Sequence, residues 1–220
     1  LFENNLLDKG YVSYLANNND PENQYDFEDF LLDMKHSQGK DSRYIFSDEK
    51  NKQLKEFYNL LPIECDIKKN VRITNHESGI AIQGIMLNSY VNIVTEANAN
   101  YSKNEVDNVF ITEKTWKPIL AQQPFIIIGQ QKHLYALRKL GFQTFESFID
   151  ESYDDELGTK KYDIIEKEIK RLGNMSRDEI DDWYWEMDEI LQHNSNNFLS
   201  MFRRSVSNVN NFIEDGWNRI

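Results

Sequence analysis

The stretch "PFIIIG" (124–129) constrains this chain most: four large apolar residues, three of them β-branched, lie between a proline and a glycine. A run that short and that apolar reads as a strand covered on both faces, which is the habit of parallel sheets. "YVNIVTEA" (90–97) is a second β-branched run. Between the two lies "FITEKTWKPILAQQ", where Thr112 is placed to cap a helix from about Glu113 to Gln122. Gln130 to Leu140 reads as a further helix closed by Gly141, and "FQTF" (142–145) as a third strand. Strand, helix, strand, helix, strand predicts parallel pairing with crossover connections.

Elsewhere the pattern is helical. "LFENNLLDKG" reads as a helix end closed by Gly10, and "YVSYL" (11–15) as a short strand. Leu54, Phe57, Leu60 and Leu61 mark a helix that stops before Pro62. From about 147 onward helices dominate. "DIIEKEIKRLG" ends at Gly173, "SRDE" (176–179) is a capping box opening "IDDWYWEMDEILQHN", and Ser195 is placed to cap a last helix. The expected organisation is a Rossmann-like α/β domain over 1–150 with a C-terminal helical extension over 151–220 packed on it.

Charge narrows the function classes. The chain has 37 acids against 25 bases, a formal net charge of −12, so its average surface repels nucleic acid and anionic lipid. An anionic ligand must be held locally. The single cysteine, Cys65, excludes an internal disulfide and reads as a small buried hydrophobe. No apolar stretch reaches bilayer-spanning length and no signal peptide opens the chain, so a cytoplasmic protein is expected. The start at Leu1 without methionine reads as a fragment of something longer.

In open α/β sheets ligands sit outside the carboxyl ends of the strands, where helix N-termini offer free N–H groups. "VTEAN" ends one strand and "ITEKTWK" opens the neighbouring helix, so the two can meet at one site. Lys114 would meet a phosphate there, and Glu113 could accept hydrogen bonds from a ribose diol. The competing reading is a surface pair, since Glu113 and Lys117 are spaced i, i+4 and would gain about 0.2–0.5 kcal/mol. "FIDESYD" (148–154) reads as a solvated turn or helix cap. The histidines at 36, 76, 133 and 193 never fall at i, i+4, so the sequence carries no local zinc spacing. Trp183, Tyr184, Trp185, Met187 and Leu191 read as core, and "FRR" (202–204) as a solvated helix face.

The order "YVNIVTEAN … VFITEKTWKPILAQQPFIIIG" resembles the donor-binding half of GT-B glycosyltransferases, with most likeness to the α1,3-fucosyltransferase type and to related viral and bacterial proteins. The resemblance covers about 85–155 well and the helices to about 200 more loosely. It implies that Glu113 meets the ribose of a nucleotide sugar and Lys114 its diphosphate, with Glu96 and Thr112 lining the same pocket; Lys117, one turn on, is a further substrate-binding candidate. Asn98 stands near the family's asparagine, but two residues after the acid instead of one. The resemblance further implies a nucleotide-diphosphate sugar as donor, a glycan or other hydroxyl acceptor, and no metal, because Lys114 and helix N–H groups would neutralise the leaving diphosphate. The catalytic residue and acceptor side are expected from an N-terminal region of the same protein. The rivals are a non-catalytic module on the same fold and a glycosyltransferase acting on modified DNA, which the charge of −12 disfavours.

Overall fold

The computed structural model describes residues 2–12, 26–37, 46–61, 63, 84–96 and 109–217, with side chains to 208. Cys65, Asn98 and most of the strand expected at 11–15 lie outside the described residues. The chain divides into two compact units, 1–72 and 73–220.

In the first unit, α1 (Phe27–Ser37) and α2 (Asp48–Tyr58) share an aromatic cluster. Phe30 is buried at its centre, with Phe57 at 6.2 Å and Tyr58 at 5.5 Å between ring centroids. Ser47 caps α2 by accepting from Lys50 N at 3.2 Å, so the helix starts where its local cap dictates. The segment before Gly10 is not a helix end. It forms two 3-10 turns, Phe2–Asn4 and Leu7–Lys9, and Gly10 is extended, without the left-handed conformation of a helix-closing glycine.

The second unit is mixed α/β and mostly helical. After the short α3 (Gly84–Leu87), β1 (Asn92–Thr95) pairs in parallel with β2 (Phe125–Ile128), in the register Asn92 to Phe125 through Thr95 to Ile128. Helix α4 (Glu113–Leu120) is the crossover between them, as the alternating pattern predicts. It runs through Pro118 and is ended by Gln122 at φ +53°, with Gln123 N donating back to Pro118 O at 2.9 Å. Helix α5 (His133–Lys139) follows, shorter than the sequence suggests, and Gly141 at φ +84° closes it.

The expected third strand at 142–145 does not form. Its polar backbone is taken up by side chains: Gln143 N donates to Asn194 Oδ1 and Asn194 Nδ2 to Gln143 O, both at 2.8 Å, while Phe145 N donates to Glu151 Oε1 at 2.6 Å. Phe142 and Phe145 are nevertheless buried, Phe145 edge-on to Phe125 at 5.0 Å. Among the described residues the sheet therefore has two strands.

Helices α6 (Gly158–Gly173), α7 (Arg177–Trp185) and α8 (Asp188–Trp217) complete this unit and share its core. The Ser176–Glu179 capping box forms as read from the sequence. Ser195 is not a cap, because α8 already runs from Asp188 and takes Ser195 into its interior. Trp116 of α4 lies between Phe142 and Phe198 of α8, at 5.6 and 5.5 Å. Among the described residues no helix is long and apolar enough to cross a membrane.

Candidate functional site

Because β1 and β2 are parallel, their carboxyl ends lie side by side, and the starts of α4 and α5 come to the same edge. Glu96, one residue past β1, continues the pairing through its N–H to Ile128 O at 2.9 Å. Its side chain does not face solvent; the residue is 3% exposed. The carboxylate accepts from Thr112 N at 3.0 Å, Thr112 Oγ1 at 2.6 Å and Thr115 Oγ1 at 2.7 Å. Glu96 thus caps α4 from the neighbouring strand, while Thr112 caps it locally by accepting from Lys114 N at 3.3 Å. Burial raises the Glu96 pKa, but the bonds from Thr112 and Thr115 outweigh it and hold the group below the ordinary glutamate value.

The chain of contacts continues inward. His133, 1% exposed at the start of α5, has Nε2 3.4 Å from Thr115 Oγ1. Since the Thr115 hydroxyl proton is given to Glu96, its oxygen is free to accept from an Nε2–H, which leaves Nδ1 as the acceptor nitrogen. That Nδ1 is buried and has no partner among the described residues. It lies over Gly129, where a Cβ would come within 2.9 Å of it. Burial drives the imidazole pKa down to about 4, with Glu96 opposing and Lys161 adding to the shift. At neutral pH the row Glu96, Thr115, His133 therefore carries one negative charge.

Two further buried charges brace the same edge. Lys161 of α6 donates from Nζ to Gly129 O, and burial lowers its pKa against the opposing pull of Asp154. Asp154 caps α5 from a distance, its carboxylate accepting from Leu134 N at 2.9 Å and Tyr135 N at 3.1 Å, and its carbonyl from Lys132 N at 2.8 Å. Tyr153 Oη accepts from Ile127 N at 3.2 Å, on β2 itself. The "DESYD" turn is thus a helix cap, and a structural one.

What remains exposed is Thr95, Phe110 and Lys114, with Glu113 half-buried beside Lys114 and Lys117 half-buried one turn on. Phe110 is pinned through its N–H to Gln130 Oε1 at 2.8 Å. Of the first-turn amides, Thr112 N, Lys114 N and Thr115 N are already bonded within the protein, the last to Thr112 O at 3.2 Å. Glu113 N has no partner among the described residues. An anion at this edge would meet the Lys114 ammonium and that one amide. Among the described residues Glu113 and Lys117 form no ion pair, and no group of three His, Cys, Asp or Glu side chains could hold a metal ion.

The structure thus brings Glu96, Thr112, Glu113 and Lys114 to one edge but divides their work: Glu96 and Thr112 hold the helix, Lys114 is exposed and Glu113 is half-buried beside it. The sequence reading missed Thr115, His133, Lys161 and Asp154, whose partners lie 18 to 32 residues away. Set against known proteins, the chain matches no family model, no curated protein and no solved structure.

Proposed function

We propose that residues 73–220 form the donor-binding part of a Rossmann-like, GT-B-type glycosyltransferase, taking a nucleotide-diphosphate sugar and transferring the sugar to a hydroxyl acceptor. One observation carries the reading: the parallel β1–α4–β2 crossover sets the exposed Lys114 and the half-buried Glu113 beside it at the carboxyl ends of two adjacent strands. That is where open α/β sheets bind nucleotides. In this reading Lys114 neutralises the diphosphate, Glu113 accepts from the ribose hydroxyls, and Glu96 and Thr112 keep the helix start in place without touching ligand.

A second reading, a binding module without turnover, has one observation in its favour. Glu96 and His133 at this edge are buried and joined through Thr115, so neither is placed to take a proton from an acceptor.

Calorimetry with uridine and guanosine diphosphates tests the site. Lys114→Ala should lose a charge-assisted bond of about 1.5–3 kcal/mol, roughly ten- to over a hundredfold in affinity, while melting like wild type. Lys117→Ala should bind nearly as wild type. Equal binding by Lys114→Ala and wild type would remove the site; binding without sugar transfer would select the second reading.

A further inference from the structure

Helix α7 bears on two aromatic faces that differ in one respect. Over Tyr90 the guanidinium of Arg177 sits 4.8 Å from the ring centroid, and the Tyr90 hydroxyl donates to Asp181 Oδ1 at 2.9 Å. This is a ring with a cation on its face and a carboxylate at its edge. Trp185, at the end of the same helix, is 60% exposed. No Lys or Arg lies over its ring among the described residues.

Trp185 rests against its neighbour on the helix. Tyr184 meets it edge-to-face at 5.2 Å and 84°, and is itself fixed by its hydroxyl on Gln122 O at 2.8 Å and by Tyr90 at 5.7 Å. Around Trp185 the chain supplies only acids: Asp181 and Asp182 precede it, and Glu186, Asp188 and Glu189 follow. Asp181 is engaged by Tyr90, and Asp188 by Gln192 at 2.7 Å. Asp182, Glu186 and Glu189 are exposed, and their side chains make no bond to the protein among the described residues. Trp185 is thus an exposed aromatic ring on a stretch of helix whose neighbouring charged residues are all acids, and among the described residues no cation lies on its face.

We infer that this end of α7 is a docking surface for an arginine-bearing basic segment of a partner protein. Charge complementarity selects the occupant. An indole is the strongest cation–π face among side chains, and a planar guanidinium can lie on it while its N–H groups reach flanking carboxylates. A chain of net charge −12 repels acidic partners and steers basic ones. The inference is independent of the nucleotide site, which lies at the opposite end of α4 from Gln122.

The test is calorimetric titration with capped hexa-arginine and hexa-lysine peptides at physiological salt. The arginine peptide should bind more tightly than the lysine peptide. Trp185→Ala should weaken it about five- to thirtyfold, and Asp182→Asn with Glu186→Gln should weaken it comparably. Phe202→Ala, which removes another exposed aromatic ring on α8, should bind as wild type. Because Trp185 is mostly exposed, Trp185→Ala should melt as wild type. Equal affinity of Trp185→Ala and wild type overturns the inference. So does equal binding of the two peptides, an equal loss in Phe202→Ala, or the absence of binding.

Discussion

Glu96→Gln separates a residue that holds the site from one that touches ligand. Three donors converge on the carboxylate at 2.6 to 3.0 Å, and the side chain is almost wholly buried. Glutamine keeps the shape but only one acceptor oxygen, and turns an NH2 toward a hydroxyl that already accepts from Lys114 N. Charge-assisted bonds contribute about 1.5–3 kcal/mol each, but the two threonine hydroxyls can turn to new partners, so the net loss should be about 2–4 kcal/mol. For a unit of this size that is roughly 5–15 °C in Tm. Urea unfolding of wild type, Glu96→Gln, Thr115→Val and the double variant gives the answer. The double should cost less than the sum, because both singles break the same 2.7 Å bond. A Glu96→Gln protein within about 0.5 kcal/mol of wild type that no longer binds nucleotide diphosphates would refute this, and would return Glu96 to the ligand-facing role read from the sequence.

Two further outcomes follow from the same cluster. His133 has a folded pKa of about 4 against an ordinary 6.5, so the unfolded chain binds the extra proton first. Stability should therefore fall as pH drops from about 6.5 to 4, by up to about 3 kcal/mol. The Glu96 contribution is lost separately, as pH falls from the ordinary glutamate value through its lowered folded pKa. Urea midpoints across pH 4–7 measure this, and His133→Gln should flatten the upper part of the profile; an unchanged profile would place the titration elsewhere. Gly129→Ala would put a methyl 2.9 Å from His133 Nδ1 and 3.1 Å from Ile127 Cγ2, costing about 1–3 kcal/mol. Adding His133→Ala should recover part of that loss in thermal melts, and full additivity would mean that the two residues do not meet.

What was legible in the sequence is what is local. The β-branched runs around Val94 and Ile127 gave a parallel pair, Thr112 gave the start of α4, and Ser176 with Glu179 gave the start of α7, because in each case cause and effect lie within a few residues. Ser195 misled because a cap-type residue starts a helix only where none is already running, and nothing breaks the chain between Asp188 and Ser195. "FQTF" has the composition of a strand, but its backbone bonds go to Asn194 and Glu151, which no short window can supply. Trp185 was read with Trp183 as core; one is mostly exposed and the other buried, since neighbours two apart on a helix point different ways. The pair Glu113 and Lys114 was singled out from its motif alone. The buried row behind it was not, because its members are joined only once the strands have paired.

The capping of α5 bears on how this chain can be divided. Lys132, at the helix start, is in the left-handed conformation and makes no side-chain cap bond, so the work falls to Asp154. Tyr153 and Lys161 likewise serve Ile127 and Gly129 from beyond residue 150. The helices after 150 are thus not an appendage but the second half of the scaffold. The stretch 84–150 is no portable cassette: grafted elsewhere, or exchanged with a relative's, it would leave an uncapped helix and an open strand edge unless the 3-10 turn at 151–155 and the first turn of α6 travelled with it.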